Sequence, residues 1–556
     1  MRRWLAVAAA LCAWAVVASS CGEEPPAIER VIIDGNLFST QVRQGLGPIH
    51  LIVTGRGLQY VTVANLEDLQ GVTVHPNEPD GGVTIDALIP HALVPGPRNL
   101  LLTLADNRPI LTQSAVVEVT SIRAGGQGDD QVGRGTPEHP FRSLTKALSL
   151  SATGDTVELG AGTYALVNGE RWPAENNTPP TTPTANVPDG VVLKGAGSSV
   201  TQLDGSGLLG PAAALIFAGG GSAEGMTLTG FHRGVIASRG LVILTDVGVN
   251  GCTAEGLIPY ASANLQVTAS AVTGCATGLK AMGSAYVTAA NSTFAVNAVG
   301  VEYADSSRGA LTGVGITRNT GAGVAISGRG DITLSGLTVD QNGQAALASN
   351  SGVYVTGVVN QLHVNGGTIS RSGGSGVYVL AGTAALTQVT VTQNGLDGVT
   401  LDGALQAQLD KTQVSLNARD GVRVTAVAPT VLDVIDNSAL STNTGNGANI
   451  GAGTTTVRAS LVEDNGLNGL KVTGDGALAL AYTAGQDATA VSVRLPLTSI
   501  NACLSDERPP SANSAVSVIH ASLNGIIVPG GLVAGPRDSR PQFRIVNTGN
   551  QISFLP

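Results

Sequence analysis

Three charged residues stand at equal offsets in the C-terminal half of this 556-residue chain. Asp410, Asp436 and Arg458 each lie seven residues before an asparagine: Asn417, Asn443 and Asn465. In a stacked repeat, equal offsets become equal positions, so the three side chains are predicted side by side on one outer face. Strands stack about 5 Å apart, and two carboxylates at that spacing repel unless a cation or the guanidinium offsets them. Such a group could abstract a proton, with the aspartates holding a metal or acting as base and Arg458 receiving a substrate carboxylate. It could equally be a surface ion-pair network worth about 1 kcal/mol or less, and the network is the expectation. Seven residues upstream of the other anchors stand Thr245, Thr268, Ala290, Thr312, Ser335 and Thr387, which carry no charge.

Other constellations carry less. There is no GxSxG, GxxxxGK[ST] or HExxH sequence and no Cys-x-x-Cys pair. The seven histidines (His50, His75, His91, His139, His232, His363 and His520) are scattered and read as surface residues. Asp129 and Asp130 could ligate a cation, although a solvated turn is expected there.

The elements that must position these residues show in the repeat. Gly234, Gly256, Gly278, Gly300, Gly323, Gly376, Gly398, Gly421, Gly447 and Gly469 recur mostly every 22 or 23 residues, each at a Gly-apolar step. Asn297, Asn319, Asn342, Asn394, Asn417, Asn443 and Asn465 precede them, and three residues before each Asn is an apolar residue: Phe294, Ile316, Val339, Val391, Val414, Leu440 and Val462. Each coil therefore reads as strand, Asn turn, Gly-apolar strand and return. The asparagines are expected to take left-handed conformations and to pair as a ladder. In the long interval from Gly323 to Gly376, Ala346 is expected at the glycine position, with an insertion around "SNSGVYVTGVVN". Val391 is predicted inside the stack and Thr400 on its outer face. A leucine-rich repeat has a similar period but needs an L-x-x-L-x-L pattern and a helical half that this chain lacks.

Composition agrees with short strands and tight turns. The chain has 74 Gly, 3% aromatic and 13% charged residues, and its mean hydropathy is +0.21. After the N-terminus no run approaches the roughly 18 apolar residues that span a bilayer. A net charge of −10 argues against a nucleic-acid partner.

The first residues, "MRRWLAVAAALCAWAVVASSC", resemble a bacterial lipoprotein signal, although Ala18 stands where that family usually has Leu. The resemblance implies a signal at 1–20, lipidation of Cys21 and a tether at 21–27. The protein would then be exported to the bacterial cell envelope and attached to a membrane, outer membrane or cell surface, by its lipid; ordinary secretory cleavage is the alternative. Cys252, Cys275 and Cys503 remain after processing. Cys252 and Cys275 fall at the Asn turn of neighbouring coils, a disulfide candidate by strand spacing, with two buried free thiols as the alternative.

Residues 28–120 alternate apolar and polar with Gly/Pro turns every ten residues or so, the pattern of a β-sandwich. "VTGRGL" and "IPHALVPGPRNLLLTL" resemble immunoglobulin-like IPT/TIG modules, implying a spacer or binding domain. Residues 121–165 resemble the short N-terminal capping segment, of unknown function, of pectin-lyase-like right-handed parallel β-helix proteins. Gly135-Thr136-Pro137, Pro140-Phe141, Gly154-Asp155 and Gly162-Thr163-Tyr164 carry that resemblance, and "RSLTKALSLS" puts Leu144, Ala147, Leu148 and Ser151 on one helical face. The expected architecture is all-β: an Ig-like sandwich, a cap with one short α-helix, and a right-handed parallel β-helix over 166–556 with coils of about 22 residues.

The resemblance brings polysaccharide lyases and hydrolases into view, but the polygalacturonase pattern of Asn-Thr-Asp, paired Asp and Gly-His-Gly is missing. Two functions stay open. One is a lipid-anchored envelope β-helix with a structural, adhesive or glycan-binding role and no cofactor. The other is a lyase or hydrolase acting on an acidic polysaccharide, for which Ca2+ would be expected.

Overall fold

In the computed structural model, residues 25–34, 39–76, 82–105, 110–174, 186–425, 431–458, 460–467, 469–472, 477–480, 492–494, 519–521 and 526–528 are described. Cys21, Cys503 and the proposed signal lie outside them. The chain divides into two compact units, at Leu159/Gly160.

The first unit holds two four-stranded sheets. One is ordered β1 (Ala27–Ile33), β3 (Gly47–Arg56), β6 (Val83–Ile89), β5 (Gln70–Pro76). The other is ordered β2 (Gln41–Arg43), β8 (Leu111–Thr120), β7 (Gly96–Leu104), β4 (Val61–Leu66). Alternation decides which side is buried: Ile49, Leu51 and Val53 of β3 join Ile85 of β6 and Leu100 and Leu102 of β7 in one core, while His50 faces out. Burying a side chain of this size stabilises by about 1.5–3 kcal/mol.

The capping segment belongs to this unit rather than standing apart. Its helix α1 spans Leu144–Ser149 and buries the predicted Leu144, Ala147 and Leu148. Ser143 caps it, its hydroxyl accepting the Lys146 N–H at 3.0 Å. The strand β9 (Ile122–Ala124) pairs in parallel with β10 (Thr156–Leu159). Buried polar groups tie this segment to the loops between the strands of the two sheets. Asp155 accepts the Ala92 N–H at 3.0 Å and the Ala152 N–H at 2.9 Å and meets His91 Nδ1 at 2.5 Å. The Gln44 amide accepts from Thr156 N–H at 2.9 Å and donates to the Leu93 carbonyl. Single side chains, not a repeated pattern, carry these contacts across residues 120/121.

The second unit is a parallel β-solenoid with three strands per coil. One face stacks Val272, Phe294, Ile316, Val339, Ile369, Val391, Val414, Leu440 and Val462 in register. A second stacks Val301, Val324, Val353, Val377, Val399, Val422, Ala448 and Leu470. A third stacks Leu311, Leu334, Val364, Leu386, Leu409, Ile435 and Val457. All of these side chains are buried, so these coils each contribute at least one apolar residue per face to a continuous core.

The asparagine ladder is present. Asn394, Asn417 and Asn443 each donate a side-chain N–H to the next asparagine's Oδ1 at 2.9 Å, and their backbone N–H groups reach the same oxygens at 3.0–3.1 Å. Each also donates back to the preceding coil, Asn443 to the Val414 carbonyl at 3.2 Å. Ser372 fills the rung between Asn342 and Asn394.

Two expectations are corrected. The left-handed residue is the one before each ladder residue: Val296, Arg318, Gln341, Gln393, Leu416, Thr442 and Asp464, each before an asparagine, and Arg371, before Ser372, have φ between 50° and 59°. The asparagine is kept for its amide. The glycine of the long interval is Gly352, whose carbonyl stacks over Gly323, not Ala346. The extra residues precede it and include the turn Ala348–Asn350, whereas Val353–Val355 is an ordinary strand.

Candidate functional site

Strand register puts the three positions of the expected charged column on adjacent rungs. Leu409 points in, and Asp410 pairs in register with Asp436, which pairs with Arg458; the side chain of Arg458 lies outside the described residues. The column continues backwards through Thr387, Asn365, Ser335, Thr312 and Ala290. Lys411 lies 4.0 Å from Asp410, and Asp436 is partnered as well.

Asp129 and Asp130 are spent on their loop. Asp129 accepts the N–H groups of Gln131 and Val132 at 2.7 and 3.1 Å, which holds its carboxyl below the usual range. Asp130 accepts the N–H groups of Arg142 and Ser143 and the Ser143 hydroxyl, at 2.6–3.0 Å. No group of three metal-ligating side chains occurs among the described residues.

Cys252 and Cys275 are both buried, and no disulfide joins them in this structure. The strand register pairs Asn250 with Thr273. The two cysteines therefore sit at the same level of adjacent coils, despite their unequal offsets from the repeat glycines. The Cys252 contact lowers the pKa of the Cys275 thiol against the opposing effect of burial.

A denser polar cluster lies on the second face, in the coils from Ser351 to Asn449. The pentapeptide Ser-Gly-Val-Tyr-Val occurs twice, at 351–355 and 375–379. Strand alternation buries both valines of each copy and turns Tyr354 and Tyr378 outward, where they stack in register with ring centroids 5.5 Å apart. The same outward column continues through Thr400, Arg423 and Asn449. The Tyr378 hydroxyl donates to Asp402 Oδ2 at 2.7 Å, and the Thr425 hydroxyl to Asp402 Oδ1 at 2.8 Å. Desolvation, the bond to Asp402 and the charge of Asp402 all push the Tyr378 phenol well above its ordinary value.

Behind this column runs a second ladder, at the residue before each repeat glycine. The Ser375 N–H donates to the Ser351 hydroxyl, Asp420 N–H to Asp397 Oδ1 and Asn446 N–H to Asp420 Oδ1, at 2.8–3.1 Å. Asp397 and Asp420 are buried. Thr400 donates to Asp397 at 3.1 Å and meets the Ser375 hydroxyl at 2.8 Å. At 6% exposure, Thr400 is covered by its polar neighbours and is not the free outer position expected of it. Burial raises the Asp397 pKa more than the Arg419 guanidinium, 3.6 Å away, lowers it. Arg423 lies 3.8 Å from Asp420.

These hydrogen bonds hold the side chains of the cluster in fixed positions. A general acid or base works best with a pKa near the working pH and within reach of the substrate. The Tyr378 phenol is held protonated on Asp402, and Asp397, whose pKa is raised, is buried. The sequence reading missed these residues because it followed the Asn offset alone. The repeated pentapeptide was the signal that could have found them.

Residues 126–318 match the family described as "Protein of unknown function (DUF1565)", and residues 348–482 match the "Right handed beta helix region". Together with the stacked register, these matches make the chain a parallel β-helix protein. Among solved structures it is similar to the mannuronan C-5 epimerase AlgE6 A-module of Azotobacter vinelandii, at 16% identity and TM-score 0.31, over 64% of this chain and 91% of that one. It is also similar to the pectate lyase Pel9A, at 13% identity and TM-score 0.22, over 72% of this chain and 83% of that one. At these scores neither likeness fixes an activity or a ligand. No curated protein matches the chain.

Proposed function

We propose that this is a lipid-anchored protein of the bacterial cell envelope whose β-helix binds polysaccharide. The observation that carries the reading is the outward Tyr354–Tyr378 pair with Asp402 bonded beside it. Aromatic rings offer apolar faces to sugar rings, and fixed carboxylate oxygens accept sugar hydroxyls. In this reading Cys21 carries the lipid, and the first unit serves as an immunoglobulin-like, IPT/TIG-type spacer between membrane and β-helix. Retardation of the full-length protein in gels containing soluble polysaccharides, with Tyr354→Ala and Tyr378→Ala beside the parent, tests the proposal. Equal mobility of all three proteins in every gel would overturn it.

One observation keeps an enzymatic reading in play: Asp410, Asp436 and Arg458 occupy adjacent rungs of one column. A lyase would use the aspartates for Ca2+ or as base and Arg458 for a uronate carboxylate. New ultraviolet absorbance from unsaturated sugar ends, on incubation with uronate polymers and Ca2+, would establish that reading.

A further inference from the structure

We infer that the Tyr354–Tyr378 face selects an uncharged, hydroxyl-rich polysaccharide and rejects polyuronates. This rests on the binding reading above and adds the ligand class.

The reasoning starts from the cations. Recognition of a uronate carboxylate needs a guanidinium or ammonium free to pair with it, at best in bidentate geometry. On this column and the ladder behind it, every described cation already has a partner. Arg419 lies 3.6 Å from Asp397, Arg423 3.8 Å from Asp420 and Lys280 3.2 Å from Glu302, and Lys471 is engaged too. A uronate at Arg419 or Arg423 would have to share that guanidinium with the buried carboxylate of Asp397 or Asp420, which weakens its hold on both.

The carboxylates point the same way. Among the described residues Asp402 has no basic partner within ion-pair distance; its two oxygens take one hydroxyl donor each, from Tyr378 and Thr425. Each oxygen keeps a lone pair for a sugar hydroxyl. A second carboxylate brought to the same place would be repelled. At longer range a chain with net charge −10 disfavours a polyanion.

The test uses the full-length protein in detergent and four probes: mixed-linkage β-glucan and arabinoxylan as uncharged polymers, polygalacturonate and alginate as anionic ones. The expected result is binding to at least one uncharged probe, little changed from low to high salt, with neither polyuronate bound. Tyr354→Ala and Tyr378→Ala should each weaken it about tenfold, as truncation of an aromatic anchor does. Salt-sensitive binding of a polyuronate, weakened by the tyrosine variants, would overturn the ligand class and leave the binding reading standing. Binding indifferent to both tyrosine variants would overturn the placement of the site. No binding to any of the four probes would overturn both readings.

Discussion

Replacing the repeat glycine Gly398 by alanine tests what that glycine is for. It does not have the left-handed backbone of a turn glycine. A Cβ built there would lie 2.3 Å from Val414 Cγ1, 2.6 Å from the Gly421 carbonyl oxygen and 2.7 Å from the Asn417 side-chain nitrogen. The Val414 rotamer is stiff, and the other two atoms belong to the backbone and ladder of the next coil. Restoring an ordinary 3.4 Å contact with that oxygen would move the coils apart by about 0.8 Å. The N–H of Gly398 to the Asp420 carbonyl and the N–H of Val399 to the Gly421 carbonyl, both 2.9 Å now, would then pass out of hydrogen-bond range. Two lost backbone bonds at about 1 kcal/mol each, with a strained valine, put the cost near 3 kcal/mol. Gly366 is the control. Its φ is +65° and nothing lies within 4 Å of its missing Cβ, so Gly366→Ala should cost about 1–2 kcal/mol through backbone strain alone. Gly366→Asn should cost less, whereas Gly398→Asn should be no better than alanine. The measurement is urea unfolding followed by far-ultraviolet circular dichroism. If Gly366→Ala destabilised as much as Gly398→Ala, the close-approach argument would be wrong.

Other outcomes follow from the same geometry. Asn417→Ala should cost about 3 kcal/mol, because it leaves buried partners on both neighbouring coils unsatisfied; a loss below about 1 kcal/mol in urea titrations would remove the ladder as a source of stability. Val391→Ala should cost about 2–3 kcal/mol through lost burial and a cavity. Thr400→Val, which removes a buried donor to Asp397, should cost a measurable 1 kcal/mol or so and so separate a buried polar site from a free outer one. Asp397 has a raised pKa in the folded protein, so the native state holds the proton more tightly than the unfolded chain. Below the ordinary carboxyl value of 3.8 both states are protonated and nothing is lost. As pH rises from there to the raised value, only the unfolded chain releases the proton, and stability falls. Thermal melts across that window should show the decline in the parent and a flatter profile in Asp397→Asn. Cys21→Ser should move the protein from the membrane to the soluble fraction on cell fractionation; unchanged membrane recovery would end the lipid-anchor proposal.

The repeat was legible in the sequence because stacking converts equal offsets into equal positions. The period by itself determined the inward column from Phe294 to Val462, the asparagine ladder, and the alignment of Asp410, Asp436 and Arg458. The spacing of Leu144, Ala147 and Leu148 likewise determined the capping helix. Other features depended on what lies one coil away. The extra residues before Gly352 broke the period, and only the strand pairing Val324 to Val353 shows where it resumes. The left-handed corner fell to the residue before each asparagine, because the buried amide must point along the stack and a backbone turn one residue earlier aims it there. Thr400, Asp397 and Asp420 became buried because neighbouring polar groups cover them, which alternation along one strand cannot register. The Tyr354–Tyr378–Asp402 cluster needed three consecutive coils to assemble. Hydrogen bonds between residues 24 positions apart exist only once the coils have closed.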